Sequence, residues 1–338
     1  RAGDRLEVKR RAEGILALDP LTAEAELAGK EIRALLDAAG IKETACVVCA
    51  SLKWTLSAQC ELPELSEEDL AQYLDLQVER AFPFPAEELN YGLSRYALPG
   101  GEPCGTIAAL PSGHARALES VVQAAGLRLV GISIGVTALA PPTTEPGIAM
   151  LVHDGGVDLQ IRAGGGIAAL RSLDEAVSER PTGEVVDVTH IARQLRISLG
   201  QMPDALRAEL RTVQVFGEKR LIRPVLDALP GAVAALNLAV KSGDSGIRRV
   251  LPDPLLEENA PAPILTAARY LLGQDTVFDF LPPHVSRLQR FVSHVSARGA
   301  LWSGVAAAAA ILLLGGGFLY QWRTLGVLEA EWQAIRPE

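Results

Sequence analysis

Residues 61–91 read ELPELSEEDLAQYLDLQVERAFPFPAEELNY, and the stops and starts in this stretch set the architecture around it. Ser66 stands where a helix N-cap belongs, with Asp69 three residues on, a weaker form of the capping box. Leu70, Tyr73, Leu74 and Gln77 continue along one helical face. Phe82-Pro83-Phe84-Pro85 then ends the helix, because proline has no N–H to donate and pushes the residue before it toward an extended backbone. Residues 89–98 come next as a strand. Glu87 and Glu88 read as a charged surface pair rather than an acid/base dyad.

Working outward, residues 6–18 read as one or two strands with a turn, closed by Asp19-Pro20. Leu27, Ile32, Leu35 and Leu36 predict a helix over 22–39, with Gly40 as its stop. Residues 45–52 and 55–62 predict a pair of strands lying against each other. Residues 106–135 form a strand–helix–strand unit. The runs 148–152, 157–161 and 167–173 predict a meander, with Gly164-Gly165-Gly166 as a hairpin turn; no helix comes at once after it, as a phosphate cradle would require. Helices are expected at 189–199, 203–211, 221–229 and 263–272, a short strand at 213–216, and a Gly/Pro/Asp-rich loop at 242–263. Mixed α/β elements thus occur twice, before and after about residue 140, which points to two α/β lobes around a cleft.

A chain of 338 residues has room for more than one core, and its net charge of −9 argues against a general nucleic-acid binder. The five histidines, His114, His153, His190, His284 and His294, show no metal-ligand spacing, and no Ser–His–Asp or Cys–His arrangement can be assigned. Cys46 and Cys49 form a CxxC inside an apolar, β-branched run that reads as a strand. Cys60 and Cys104 stand alone, so no second pair completes a zinc set. All four read as buried structural thiols of a reducing compartment.

Residues 301–320 read LWSGVAAAAAILLLGGGFLY, inside an uncharged stretch from 299 to 322. At about 1.5 Å per residue, roughly 20 apolar residues cross a hydrocarbon layer of roughly 30 Å. Trp302, Tyr320 and Trp322 lie near the ends, where amphipathic rings favour the interface. Arg287, Arg290 and Arg298 precede the span, whereas Arg323, Glu329 and Glu331 come after it, so the positive-inside rule places the N-terminal mass in the cytoplasm. The Ala306–Ala310 run and the glycines 315–317 give the span a small-residue face.

The stretch LPELSEEDLAQYLDLQVERAFPFPAEELNYGL resembles the actin-like assembly-platform family of type IV pilus and type II secretion systems, PilM and secretion protein L. In that family such a stretch belongs to a small subdomain inserted in the first actin lobe. AAGLRLVGISIGVTAL and GIAMLVHDGGVDLQIRAGGGIAALRSL resemble the family's lobe-junction segment and the phosphate-loop hairpin that opens its second lobe. The resemblance implies a two-lobed actin-like, ribonuclease H-like α/β fold. Residues 1–140 would be the first lobe, without its N-terminal strand and with the insert at about 45–135. The second lobe would span 141–273, a linker 274–299, the transmembrane helix 300–322, and the start of a periplasmic helix 323–338.

Members that bind ATP open with a GIDIG-type phosphate loop, and nothing like it precedes Leu6. His153 matches the usual metal-side Asp, with Asp154 displaced by one; Val157 and Asp158 stand where Thr or Ser would meet phosphate. Phe216-Gly217-Glu218-Lys219 carries one glycine of the adenosine motif. His153, Asp154, Gly155, Gly156 and Gly217 are therefore expected to mark a degenerate nucleotide site, with no ATP, no Mg and no catalysis. Val277-Phe278-Asp279-Phe280-Leu281-Pro282-Pro283 resembles the docking segment of PilN, which suggests that Phe278, Phe280, Leu281, Pro282 and Pro283 dock in cis; a plain Pro-terminated linker is the other reading.

The implied function is a single-pass scaffold of the bacterial inner membrane. Its cytoplasmic lobes recruit a GspE/PilB-like assembly ATPase and its span reaches periplasmic platform subunits, as a homodimer or hetero-oligomer. The alternative is an active actin-like ATPase whose first phosphate loop is missing from this chain. A membrane-tethered cell-division actin homologue is less well matched, since those tether by a terminal amphipathic helix.

Overall fold

The computed structural model describes residues 6–140, 143, 145–180, 183–243, 262–274 and 276–281. The expected span at 300–322, the start of a periplasmic helix at 323–338 and the linker from Pro282 onward, Pro283 included, lie outside these. Among the described residues no helix is long and apolar enough to cross a membrane.

The chain begins with α1 (Ala25–Ala38), β1 (Ala45–Ala50) and β2 (Leu56–Glu61). It continues through α2 (Glu67–Ala81), β3 (Leu89–Ala97), β4 (Pro103–Pro111), α3 (Ser112–Ala124), β5 (Arg128–Ile134) and the short α4 (Gly135–Leu139). β1 pairs with β5 in parallel, while β2, β4 and β3 form an antiparallel sheet in that order. The quoted stretch folds as its punctuation dictates. The Asp69 N–H donates to Ser66 Oγ at 3.1 Å, and Phe82 leaves the helix in an extended conformation. Leu70, Leu74 and Val78, four residues apart, bury against Ile107 and Ala109 of β4.

Two expectations in this half are corrected. β1 and β2 do not pair with each other: a 3-10 turn at Leu52–Trp54 separates them and each joins a different sheet. Their patterns explain it. ACVVCA is an unbroken apolar run suited to a parallel pair, whereas β2 alternates half-buried and exposed positions, as an antiparallel strand with one wet face does. Residues 6–18 form no strand. Leu6 and Val8 reach the first core, but Arg10 falls at the next position in phase and breaks the apolar alternation, so one face can no longer be buried.

The second half comprises β6 (Gly147–His153), β7 (Gly156–Ala163), β8 (Gly166–Leu173), the hairpin β9 (Val177–Arg180) and β10 (Gly183–Val186), α5 (Val188–Gly200) and α6 (Asp204–Glu209). β11 (Thr212–Gly217), α7 (Lys219–Ala232) and β12 (Ala239–Ser242) complete it. The main sheet runs β12-β11-β6-β7-β8, with β6–β8 antiparallel and β11 and β12 parallel beside β6. This mixed order is the ribonuclease H-like lobe the sequence implied. The first half contributes the parallel β1–β5 pair, and residues 6–18 add no strand to it. Finally α8 (Ala262–Leu272) returns to the first core, packing on α4 and β1.

The β2-β4-β3 sheet is fastened to β8. Ser57 Oγ donates to the Leu170 carbonyl, Gln59 Nε2 donates to that of Ala168 at 2.6 Å, and Ser94 Oγ accepts the Ile167 N–H. The triple-glycine turn presses directly on the β3 backbone. At Gly164, with φ of +49°, a Cβ would collide with Ala97.

Candidate functional site: an interlobe cleft and a docked segment

The two lobes enclose a cleft of about 680 Å³. One wall is the end of β1, Cys49 to Ser51, with Trp54 beyond it and Gly135 at the start of α4. The other is the β6–β7 hairpin, with Leu151 to Asp154 and Asp158, and the β11–α7 junction from Gly217 to Leu221. His153, Asp154 and Gly217 line the cleft, Gly155 completes the hairpin turn with Asp154, and Gly156 opens β7 beside it. Gly217 is held to glycine: its φ is +137°, and a Cβ would run into the Val152 carbonyl where β11 turns over β6 into α7.

Charge in the cleft is graded by depth. At the rim Arg220 donates to Asp154 Oδ1 at 3.1 Å and to Glu218 Oε2 at 2.8 Å, with all three side chains about half exposed. Arg11 pairs with Glu13. Asp158, on β7, is 3% exposed. His153 Nδ1 accepts the Gly155 N–H at 3.2 Å, which leaves the proton of the neutral ring on Nε2, facing Asp158 Oδ2 at 3.5 Å. That separation is too long for a satisfied hydrogen bond, and His153 Nε2 and Asp158 Oδ1 are both buried without a hydrogen-bond partner.

Cys49 adjoins this pair but is not set up as a nucleophile. Burial pushes its thiol up to about 11 and outweighs a hydrogen bond with Thr266 that pulls it down; the Asp158 carboxylate adds to the rise. Cys46, its CxxC partner, is also raised by burial, and all four cysteines are free. Among the described residues no cluster of His, Cys, Asp or Glu could hold a metal ion.

The second feature lies just past α8. Gly273 turns the chain at φ of +67°, and residues 277–281 run back along the outer edge of β5. The Phe280 N–H donates to the Ile132 carbonyl at 2.9 Å. Asp279 gathers three donors: its Oδ1 accepts the N–H groups of Ile132 at 3.2 Å and Leu281 at 3.0 Å, and its Oδ2 accepts the Tyr270 hydroxyl at 2.5 Å. Burial, and then this bond, raise the Tyr270 phenol above its usual range. Phe278 and Phe280 are 0% and 1% exposed, stack with ring centres 6.3 Å apart, and belong to the same core as Ile132 and Leu139. Leu281 is partly buried against that core.

Sequence reasoning missed the receiving side of this contact. Gly92 in β3 lies under Phe278, where a Cβ would come within 3.2 Å of Cδ1, and at Gly131 in β5 a Cβ would overlap the Tyr270 ring. A glycine inside a strand marks a close approach, and that signal was present at both positions.

The two-lobed arrangement, with its ribonuclease H-like sheet and interlobe cleft, is an actin-like fold. The chain is similar to a chain of a PilM-PilN type IV pilus biogenesis complex, with a TM-score of 0.59 and 16% identity, covering 79% of this chain and 90% of that one. Weaker likenesses include the cytoplasmic domain of EpsL, an inner-membrane component of the type II secretion system of Vibrio cholerae (TM-score 0.44, 13% identity, 76% and 85% covered). Another is a Bacteroides thetaiotaomicron protein with an actin-like ATPase fold and unknown function (TM-score 0.35, 10% identity, 73% and 81% covered). No protein-family model matches the chain, and neither does any curated protein sequence.

Proposed function

We propose that this protein is an assembly-platform scaffold of a type IV pilus or type II secretion system. Its actin-like lobes recruit the assembly ATPase in the cytoplasm, and a single span at 300–322 links them through the inner membrane to periplasmic subunits. The observation that carries this reading is the docking of residues 277–281. Two fully buried phenylalanines and a three-donor carboxylate make the chain leading toward the span an integral part of the first lobe. A tether meant only to localise the lobes needs no such anchorage, whereas one that transmits load does. Likeness in fold to a chain of a pilus biogenesis complex supports the same reading.

The cleft fits a magnesium–nucleoside triphosphate poorly, which supports a scaffold over an ATPase. A triphosphate needs backbone N–H groups and cations aimed inward. Here, of the cations that line the cleft beside Lys219, Arg220 is engaged by Asp154 and Glu218 and Arg11 by Glu13. The residues at the β1 end of the cleft, Cys49-Ala50-Ser51, form no glycine-rich loop.

The test is to embed the full chain in lipid nanodiscs and measure binding of the assembly ATPase from the same cell, alongside Mg-ATP hydrolysis by the chain alone. The scaffold reading predicts a stable complex and no hydrolysis by the chain. Hydrolysis by the purified chain, abolished by a change at Gly217 or His153, would overturn it in favour of an active actin-like ATPase.

A further inference from the structure

Asp158 is a buried charge that the fold leaves without a full set of partners. It is 3% exposed, lines the interlobe cleft, and its Oδ1 has no hydrogen-bond partner; His153 Nε2 stands off from its Oδ2 at 3.5 Å. A buried carboxylate left without donors is strongly destabilising, and such a group calls for a partner that the fold itself does not supply. At the rim Arg220 pairs with Asp154 and Glu218, and Arg11 pairs with Glu13.

The rest of the lining describes the complement. Cys49, Ala50, Leu151, Leu221, Ala262 and Pro263 offer apolar wall, suited to a methylene chain. Trp54 lines the same space and is only partly buried, offering an aromatic surface of the kind a cation favours. We propose that the cleft binds a small alkylamine or alkylguanidine, its cationic head donating to Asp158 and its stem lying along the apolar wall. The charge logic is the reverse of a triphosphate site. A multi-donor head satisfies Oδ1 and Oδ2 together, which the single Nε2–H of His153 does not.

The experiment is calorimetric titration and thermal unfolding of the full chain, in detergent micelles, with agmatine, spermidine and Mg-ATP as probes. Agmatine or spermidine should bind with heat and raise the melting temperature, and Asp158→Asn should weaken that binding by at least about tenfold. Asp154→Asn, at the rim, should change it by less than about threefold. Asp158→Asn keeps the shape and removes an unpaired buried charge, so the ligand-free variant should melt no lower than the parent, which separates lost binding from lost folding. Absence of any heat or melting shift with both amines up to about 10 mM overturns the proposal, as does equal binding by the Asp158→Asn variant. Failure of the amines overturns this proposal and leaves the scaffold function standing, whereas hydrolysis of Mg-ATP by the chain overturns the scaffold function separately.

Discussion

Cys49 shows how much the local surroundings decide at the scale of one residue. A CxxC invites a redox or metal reading, yet this thiol sits at the end of a parallel strand, buried next to Asp158, and is pushed up to about 11. Unfolded, the thiol loses its proton near 9.0; folded, it holds it to about 11. Its contribution to stability is therefore intact below 9.0 and is lost as the pH climbs between the two. Denaturant unfolding measured from about pH 8 to pH 10 should show a loss of about 1–2 kcal/mol that Cys49→Ala lacks. Equal slopes for the two proteins would contradict this picture of the thiol. At this scale the sequence was legible where a residue acts on its own neighbours, as Ser66 does in capping α2. It was opaque where the partner is far along the chain: Asp279 and Ile132 are 147 residues apart, and no local pattern couples them.

Among elements, the strands and helices with strong periodicity were placed from sequence alone, including α2, the meander β6–β8 and the β4–α3–β5 unit. Partner choice was less legible. The apolar run 45–50 suits a parallel pair, which needs a distant partner because a parallel neighbour requires a crossover, yet its pattern does not say which strand that is; it pairs with β5. Residues 6–18 had enough alternation to suggest strands, but the single arginine at position 10, in phase with Leu6 and Val8, is a tertiary veto that a propensity scale weighs lightly. The close approach of α8 to β5 offers a direct test. Gly131→Ala should place a methyl inside the Tyr270 ring and destabilise the protein by roughly 1–3 kcal/mol, as overpacked cores do. Tyr270→Ala in the same chain should relieve most of that penalty in a double-mutant cycle measured by chemical denaturation. Simple additivity of the two changes would show that the helix does not sit on this glycine.

For the whole molecule, the decisive property is that the first lobe and residues 277–281 share one core. The sequence pointed to a docked Phe278–Phe280 segment and to a cleft with unfavourable phosphate chemistry. The groove that receives the segment, built from Gly92, Gly131, Ile132 and Tyr270, emerged only when three elements distant in sequence came together. Burying two phenylalanines is worth on the order of 3–6 kcal/mol, enough to hold the segment closed most of the time. The most direct test is amide hydrogen exchange on the full chain in lipid nanodiscs, read at Ile132 and Phe280. Both should exchange as slowly as the first core, and Phe278→Ala with Phe280→Ala should speed them by at least about a hundredfold while the β6–β8 sheet stays protected. Exchange of Phe280 in the unaltered protein at the rate of a free chain would contradict a rigid connection and would make the segment a slack tether.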